Sequence, residues 1–555
     1  MKINLKIDKD LDFVTIVVEE GLKTIEDLVN KYKEKVKYPV LAAKVNNKLV
    51  ALDTPIEEQC EIEFLDIRNQ GANLIYQNSL TLIYLRAVED IVKGAEVSIE
   101  NSLNKGLYTY ISIKGRQITD EEVEEINLRM KELILGDVKI NKIKIDRNKA
   151  MEKFRKWGHT DKAKLVNQRI TLKYLTFYEL DGYMDFFYSL MVPSTRYCYL
   201  YELRKYKKGV LLRFPHPSKP DAIPKYVDET KIYEAFAEAS KWMDLLGILN
   251  VADLNEKVKN GQIREIIQLS EALHEKKVVE IAKEITKTGR RIILIAGPSS
   301  SGKTTFARRL TIQLKVNGLK PIYLSTDDYF SDREDMVADE NGELNFEDLE
   351  AVDLELFKKD INGLLSGEEV DIPVFDFIEG KKIFGKRITA IDDNQPIIIE
   401  GIHALNKKLT YGIDDSQKFK IYISPFTQLD IDKHNRIPTT DARMLRRMVR
   451  DFKYRGYMAK DTIKDWPKVR AGEDKNIFPF SGEADVVFNS VHIYELGVLK
   501  KYAQPLLLNI DRSSPEYSEA SRMLNFLKYF EVIEDDSMIS NNSILREFIG
   551  GSIYG

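Results

Sequence analysis

The chain has 555 residues, 43% of them hydrophobic and 31% charged, which predicts a folded protein of about three or four domains and excludes wholesale disorder. The formal net charge of -4 gives no global attraction to nucleic acid, so RNA contact would need a local basic face such as residues 139–149 or 443–455. The two cysteines, Cys60 and Cys198, are too few for a disulfide framework or a cysteine zinc site.

The first 67 residues predict a small ββαββ unit. Strand-like alternation occurs at Lys2–Ile7 and Phe13–Val18, and a helical pattern follows over Thr24–Tyr32. Short apolar runs at Val40–Val45 and Glu61–Leu65 complete the unit.

Residues 68–200 predict an α+β domain, because helical segments such as Asp120–Ile134 alternate with short strands such as Leu107–Ile113. Residues 201–289 begin with a strand-like stretch at Val210–Phe214, pass a proline-rich loop and end in helical patterns. We interpret this last stretch as a connector.

From Arg291 onward, buried strands separated by helical stretches predict a doubly wound, mostly parallel sheet of the α/β class. This domain is expected over residues 290–510, with a helical extension over 511–555. The predicted strands are Ile292–Ala296, Pro321–Ser325, Ile397–Glu400, Phe419–Ile423 and Val486–Phe488.

The strongest local signal is the segment GPSSSGKT at 297–304, which lies between the apolar run IILIA and a helical pattern. It matches the phosphate-binding loop G-x-x-x-x-G-K-[ST] in the strand–loop–helix setting that this loop requires. Backbone N–H groups surround the phosphates, the lysine reaches the β- and γ-phosphates, and the hydroxyl binds Mg²⁺. The predicted nucleotide-binding residues are Gly297, Pro298, Ser299, Ser300, Ser301, Gly302, Lys303, Thr304 and Thr305, with Thr304 on the metal.

Carboxylates end two of the predicted strands. Asp327 and Asp328 follow the second strand, at the edge where open α/β sheets bind ligands, and one of them could accept the proton of an acceptor hydroxyl. The alternative is that the acidic pair merely caps a turn, which applies more to Asp328 than to Asp327. Glu400 ends the strand before Gly401, a position expected of a residue that contacts the metal through water, or of a helix cap.

An arginine-rich segment, RMLRRMVRDFKYRG, follows at residues 443–456. At helical spacing Arg443, Arg447 and Arg450 share one face, so a mobile helix could present guanidinium groups to a transferring phosphoryl group. Charge runs are also common on solvated helix faces.

Residues 290–490 resemble the uridine kinase and phosphoribulokinase family, through the ordered blocks GPSSSGKTT, LSTDDYF, NFEDLEAVD, PVFDF, IIIEGIHAL and the arginine-rich segment. The resemblance implies that Asp327 is the catalytic base and Glu400 the acidic magnesium-linked residue. It also implies that Lys303 contacts phosphate and Thr304 magnesium. The lid arginines are implied to be Arg447, Arg450 and Arg455, and the acceptor residues Asp327, Tyr329, Glu347 and Phe375.

The acceptor pocket departs from the pattern of uridine kinases at three positions. Glu347 stands where they carry a ribose-binding aspartate, Phe375 where they carry a tyrosine, and Gly380 where they carry a histidine. Fewer polar groups predict weaker discrimination among acceptors, unless a neighbour such as Tyr329 or Lys381 supplies the contacts.

The N-terminal half resembles the appended domains of threonyl-tRNA synthetase. Residues 1–67 look like a TGS domain with a ubiquitin-like fold, and residues 68–200 look like the synthetase's editing domain. The four polar positions of the editing site align with Asn78, Leu82, Phe187 and Met191. Leucine, phenylalanine and methionine cannot hold or activate water, so the resemblance implies a retained fold without its hydrolytic site.

We therefore expect a kinase that uses ATP and Mg²⁺ to phosphorylate a hydroxyl of a nucleoside, with uridine or cytidine first. Alternatives are another small alcohol, such as a sugar phosphate or a pantothenate-like compound, and an ATP-switched factor that associates with RNA or the ribosome. No apolar signal core and no run of about 18 uncharged apolar residues occurs, which predicts a cytoplasmic protein without membrane insertion. The oligomeric state is left open.

Overall fold

The computed structural model describes residues 1–169, 172–336, 345–427 and 429–554. Its first unit is a five-stranded sheet, in the order β2-β1-β5-β3-β4, with one helix. The sequence predicts four strands here, and the structure adds β4, a short strand that pairs with β3. The elements are β1 (Lys2–Lys6), β2 (Val14–Val17), α1 (Ile25–Tyr32), β3 (Ala42–Val45), β4 (Lys48–Val50) and β5 (Glu61–Leu65).

The second unit contains two antiparallel sheets, in the orders β11-β12-β7-β6 and β10-β9-β8. The strands β11 and β12 come from the stretch that the sequence assigns to the connector, and β12 pairs with β7. The elements are α2 (Gln70–Ile91), β6 (Glu96–Leu103), β7 (Gly106–Ser112), α3 (Asp120–Leu135), β8 (Asn141–Asp146), α4 (Arg147–Lys156), α5 (Thr160–Gln168), β9 (Tyr174–Leu180), β10 (Tyr183–Phe186), β11 (Glu202–Tyr206) and β12 (Gly209–Arg213).

Three helices lead to the C-terminal sheet: α6 (Thr230–Leu246), α7 (Val251–Lys259) and α8 (Ile263–Thr288). The helix α8 ends at Gly289, which has a φ of 65° and therefore closes the helix in the left-handed conformation that glycine adopts without strain. The first strand of the sheet starts three residues later.

The C-terminal unit is built on five parallel strands in the order β14-β19-β13-β20-β21, which confirms the predicted α/β class. Its elements are β13 (Ile292–Ala296), α9 (Lys303–Val316), β14 (Ile322–Ser325), α10 (Leu354–Leu365), β15 (Val370–Asp371), β16 (Val374–Asp376), β17 (Lys381–Ile383), β18 (Ile388–Thr389), β19 (Ile397–Glu400), β20 (Lys418–Ser424), α11 (Thr439–Arg455), α12 (Ala459–Asn476), β21 (Val486–Asn489), α13 (Glu495–Leu508), α14 (Tyr517–Leu527) and α15 (Arg546–Ile549).

The central strand β13 is buried on both faces. Ile293 and Ile295 belong to a core shared with α8, α9 and α11, whereas Ile292 and Leu294 belong to a core shared with α6 and α10. A strand covered on both faces must be apolar throughout, which is why IILIA carries no polar residue.

The segment after α13 holds two helices, α14 and α15, joined mainly by turns and loops. The helix α14 packs on α13, and α15 packs on α11. Among the described helices, none combines the length and the apolar character that a membrane crossing requires.

Candidate active site at the carboxyl edge of the parallel sheet

The loop that joins β13 to α9 has the geometry of a phosphate cradle. A Cβ atom on Gly297 would lie 2.1 Å from the carbonyl oxygen of Ile423, so only glycine lets the loop leave the sheet here. Gly302 has a φ of 84° and starts α9. The hydroxyls of Ser300 and Ser301 are buried and lack a hydrogen-bond partner within the described residues. Since buried polar groups are nearly always paired, these hydroxyls fit a bound phosphate.

The side chains expected to hold magnesium lie together. The Thr304 hydroxyl oxygen is 3.4 Å from Oε2 of Glu400, and the Tyr323 hydroxyl donates to the same carboxylate oxygen at 2.9 Å. Burial raises the pKa of Glu400 to about 7, and the nearby Lys303 ammonium opposes that shift. A hydroxyl and a carboxylate are oxygen donors of the kind that Mg²⁺ accepts, so the residues present fit this metal.

The turn after β14 separates the roles of two neighbouring aspartates. Asp328 forms an ion pair with Arg387 at 2.8 Å, whereas Asp327 has no ion pair within the described residues. The Asp327 side chain is open to the cleft although protein surrounds it, and this partial removal from water raises its pKa, with Lys303 opposing. Asp327 is therefore the aspartate left available to a ligand.

The turn after β14 and the loop after β19 approach each other closely. A Cβ atom on Gly401 would lie 1.7 Å from the Thr326 hydroxyl oxygen, so glycine is required where the chain leaves Glu400. The charges of Asp327 and Glu400 consequently act on one another, and each lies within electrostatic range of Lys303.

Of the remaining acceptor residues, the structure brings Glu347 and Phe375 toward the site but not Tyr329. Lys303, Asp327 and Arg447 all influence the Glu347 carboxyl, whose pKa is raised mainly by burial. The Tyr329 hydroxyl instead donates to Asp360 at 3.1 Å in the core of the domain. An acceptor contact by Tyr329 is therefore not supported, because its hydroxyl already has a buried partner.

An aromatic wall, mostly buried, lies next to the turn that carries Asp327. The Phe375 ring meets Phe330 with centroids 5.7 Å apart and Phe377 with centroids 5.1 Å apart, both edge to face. Phe346 extends the wall through Phe330. Phe330 and Phe375 are buried in the core, so Phe377 is the exposed ring of this wall that could contact an acceptor.

Arg333, which sequence reasoning missed, fills the space beside Gly380. A Cβ atom on Gly380 would lie 2.3 Å from Cδ of Arg333, and the guanidinium donates to the carbonyl oxygens of Phe377 and Ile378. Lys381, the other expected substitute, is paired with Glu379 at 2.8 Å. No local sequence pattern indicates this role for Arg333, since it depends on the hairpin β16–β17 folding back.

The arginines of α11 divide into two groups. Arg447 donates to the Ser299 hydroxyl at 3.0 Å, and Arg447, Arg450 and Arg455 all pair with Asp451. Arg443, expected to share their open face, is instead buried and donates to the Ser299 carbonyl oxygen at 3.0 Å.

Buried ion pairs hold the outer side of the phosphate loop. Arg443 pairs with Glu473, which also accepts the Ser299 backbone N–H at 3.1 Å. Arg446 pairs with Glu495 at 2.6 Å and donates to the Ser300 carbonyl oxygen at 3.3 Å. These arginines support the loop rather than face the cleft.

The C-terminal segment also reaches the loop. Glu547 accepts a hydrogen bond of 2.7 Å from the Thr305 hydroxyl, and a Cβ atom on Gly302 would lie 2.4 Å from Cγ2 of Ile544. Sequence reasoning missed this contact because 242 residues separate Thr305 from Glu547.

The editing-like positions are occupied mainly by core side chains. Leu82, Phe187 and Met191 are buried in the hydrophobic core around α2, and Asn78 lines a cavity. Within the described ranges, no cluster of three or more His, Cys, Asp or Glu side chains could hold a metal.

A central parallel strand that delivers this loop to the same edge as Asp327 and Glu400 defines a P-loop kinase fold. The family model for the Phosphoribulokinase / Uridine kinase family matches residues 292–496. A uridine kinase of Staphylococcus epidermidis is 31% identical over 197 residues, which are 35% of this chain and 86% of that protein. The chain belongs to the phosphoribulokinase/uridine kinase family.

Two further similarities complete the comparison. The N-terminal region is similar to a threonine–tRNA ligase of Clostridioides difficile, with 24% identity over 177 residues, or 32% of this chain. The chain spans only 28% of the length of that ligase. A solved structure of a possible uridine kinase from Bacillus stearothermophilus is 22% identical, with a TM-score of 0.27, and covers 38% of this chain and 98% of its own.

Proposed function

We propose that this chain is an ATP-dependent kinase that transfers the γ-phosphate to a hydroxyl group of a nucleoside, with uridine or cytidine as the first choice. The observation that carries the proposal is the contrast between two aspartates at the end of β14. Asp328 is neutralised by Arg387, whereas Asp327 has no such partner among the described residues and lies within electrostatic range of Lys303. A carboxylate that is free beside a phosphate-binding lysine is suited to accept the proton of an acceptor hydroxyl.

In the proposed reaction the acceptor hydroxyl gives its proton to Asp327 while its oxygen bonds to the γ-phosphorus and the bond to the bridging oxygen of ADP breaks. Lys303, Arg447, Arg450 and Arg455 compensate the charge on the transferring group. Mg²⁺ held by Thr304 and Glu400 would neutralise phosphate charge when bound.

The acceptor side supports a ring-bearing substrate. The exposed Phe377 presents aromatic surface, and Glu347 supplies a carboxylate for sugar hydroxyls. A sugar phosphate or a pantothenate-like alcohol is the alternative acceptor. Such an acceptor carries negative charge, and the Arg333 guanidinium would favour its binding.

A product assay tests the proposal. Purified chain with ATP and Mg²⁺ is given uridine, cytidine, adenosine, ribose, ribose 5-phosphate or pantothenate, and the phosphorylated product is identified by mass spectrometry. Phosphorylated uridine or cytidine, absent with Lys303→Ala, is the expected result. If only a sugar phosphate or pantothenate gave a phosphorylated product, that compound and not a nucleoside would be the acceptor. ATP turnover without any phosphorylated product would contradict the kinase assignment.

A second candidate function is that of an ATP-switched factor that associates with RNA or the ribosome, which the N-terminal half suggests. We propose to divide this half into a TGS-like module (1–67) and an editing-like domain without its catalytic residues (68–200). Residues 139–156 carry eight lysines and arginines against two carboxylates, in a chain of net charge -4. Lys142 and Lys144 on the edge strand β8, and Lys149 on α4, are exposed and form no ion pair with described residues. Such a surface suits RNA phosphates, although lysines on an edge strand also prevent strand pairing.

Measurements of tRNA binding, and of its effect on ATP hydrolysis, distinguish a small-molecule kinase from an RNA-associated factor. We expect tRNA affinity to fall with salt and to drop in the double variant Lys142→Glu/Lys144→Glu, but not in the control Lys114→Glu/Lys208→Glu. An RNA-switched factor would show ATP hydrolysis that tRNA stimulates and nucleosides do not. Equal tRNA affinity in both double variants would exclude this surface.

A further inference from the structure

A cavity lies between the editing-like domain and the kinase domain. One wall is the helix α2, through Gln77, Asn78 and Thr81, and the opposite wall is the kinase segment before α11, through His434 and Arg436. A water-sized molecule can occupy about 20 Å³ inside it, and the figure reaches about 450 Å³ only when all the space up to the open mouth is included. The kinase reaction proposed above uses none of these residues.

The kinase wall of the cavity is held firmly in place. His434 pairs with Asp185, which also pairs with Lys162, and all three side chains are buried. The backbone N–H of Ile99 donates to the carbonyl oxygen of Lys433 at 2.8 Å. Buried, fully paired groups of this kind fix one arrangement, so the cavity is preformed.

Arg436 is the unusual member of the lining. Its guanidinium makes no hydrogen bond and no ion pair with any described residue, and its Nε is buried without a partner. Burial lowers the pKa of Arg436, and the Asp430 and Asp441 carboxyls oppose that shift, although neither forms an ion pair with it. The neighbouring Arg522, in contrast, is paired with Asp441 at 2.6 Å. The Arg436 side chain is half-buried, and only its Nε is fully removed from water without a partner, so an anion in the cavity would offset the cost of burying that part of the guanidinium.

Uncharged polar groups surround the same space. The side chains of Asn78, Thr81 and Ser189 line the cavity and make no hydrogen bond elsewhere in the described part of the chain. The rest of the lining is partly apolar, with Leu74 and Leu107. One cation without an ion pair among the described residues, together with hydroxyl and amide groups in a narrow space, matches a small oxyanion that is little larger than its charged group.

We propose that this cavity binds a small oxyanion, a carboxylate or a phosphate monoester, whose charged group pairs with Arg436 and whose body bonds to Asn78, Thr81 and Ser189. Binding here is independent of which acceptor the kinase uses.

The position of the cavity connects it to the kinase site. Arg436 precedes Pro438, the cap of α11, and α11 carries Arg447, which contacts the phosphate loop at Ser299. A ligand on Arg436 therefore acts at the base of the helix that presents the lid arginines. Coupling between two sites of this kind changes an affinity by about fivefold or more.

Calorimetry on the full chain tests the site, with Mg²⁺ and a non-hydrolysable ATP analogue present at saturation so that the phosphate loop is occupied. The probes are inorganic phosphate, glycerol 3-phosphate and lactate, which separate phosphate from carboxylate ligands. We expect at least one probe to bind at millimolar concentration or below, and to bind about tenfold to a hundredfold more weakly to Arg436→Gln. The exposed control Arg155→Gln should bind as the native chain does.

Ser189→Ala, at a half-buried position, is the second variant and should also weaken binding, so the test does not depend on the folding of Arg436→Gln. Unchanged affinity in both variants would overturn the proposal. So would the absence of binding by all three probes to the native chain. A probe that binds should also shift the KM for ATP by about fivefold in the native chain and not in Arg436→Gln.

Discussion

Replacing Asp327 by asparagine tests the central step of the proposed reaction. Asparagine has nearly the same volume and keeps the backbone N–H of residue 327, which donates to the Ser325 hydroxyl at 3.2 Å, so the turn should persist. The amide cannot accept the proton of a hydroxyl group. We expect kcat to fall by about 10² to 10⁴, or about 2.7–5.5 kcal/mol in barrier, while the affinity for ATP is unchanged.

The neighbouring residue supplies a matched control. Asp328→Asn removes the ion pair with Arg387, which still donates to the Tyr323 carbonyl oxygen at 2.9 Å. Because the pair is partly solvent-exposed, the variant should lose only about 0.2–1 kcal/mol of stability and keep kcat within about tenfold. ADP release and phosphorylated product are measured together, with ATP affinity determined by titration. Near-native turnover in Asp327→Asn with a large loss in Asp328→Asn would refute the assignment.

Further outcomes follow from the same site. Lys303→Ala should abolish transfer while its melting temperature stays near that of the native chain, and normal turnover would remove the phosphate-loop assignment. Glu473→Gln leaves the buried Arg443 without its ion pair and should lower stability by about 3–5 kcal/mol in denaturant titration; a loss below about 1 kcal/mol would show that the pair does not brace the loop. Competition among uridine, cytidine and adenosine should reveal weaker discrimination than in a uridine kinase with tyrosine at the position of Phe375, and a strong uridine preference would contradict this. Metal analysis and a deacylation assay should find neither zinc nor hydrolysis of mischarged tRNA in residues 70–200; stoichiometric zinc would mean that the editing positions are misaligned.

Local sequence alone was enough to predict the parallel sheet and its phosphate loop. Strands buried on both faces are continuous apolar runs, so IILIA and PIII were visible as strands without any knowledge of their neighbours. The loop could be predicted because glycine, lysine and threonine act there through backbone geometry and charge within eight consecutive residues. The strand Glu61–Leu65 also begins and ends where the short apolar run predicts.

The use of each charged side chain was decided only by the tertiary structure. The family resemblance selects Asp327 as the base, but the local sequence does not show which of Asp327 and Asp328 is paired, and Arg387, 59 residues away, determines that. Arg443 and Arg447 share a helix face by spacing, yet the burial of Glu473 beside one of them makes Arg443 a support of the loop. Tyr329 turns toward Asp360, and Arg333 fills the space beside Gly380.

The differences between the expected and the observed side-chain contacts arise because the partners are distant in sequence. A hydrophobic pattern is a property of consecutive residues, whereas the partner of a charge is set by whichever segment packs against it. The same reason explains why β11 and β12 join the sheet of β7, and why Glu547 meets Thr305. It also explains the cavity, since Asn78 and Arg436 are distant in sequence and line the same space.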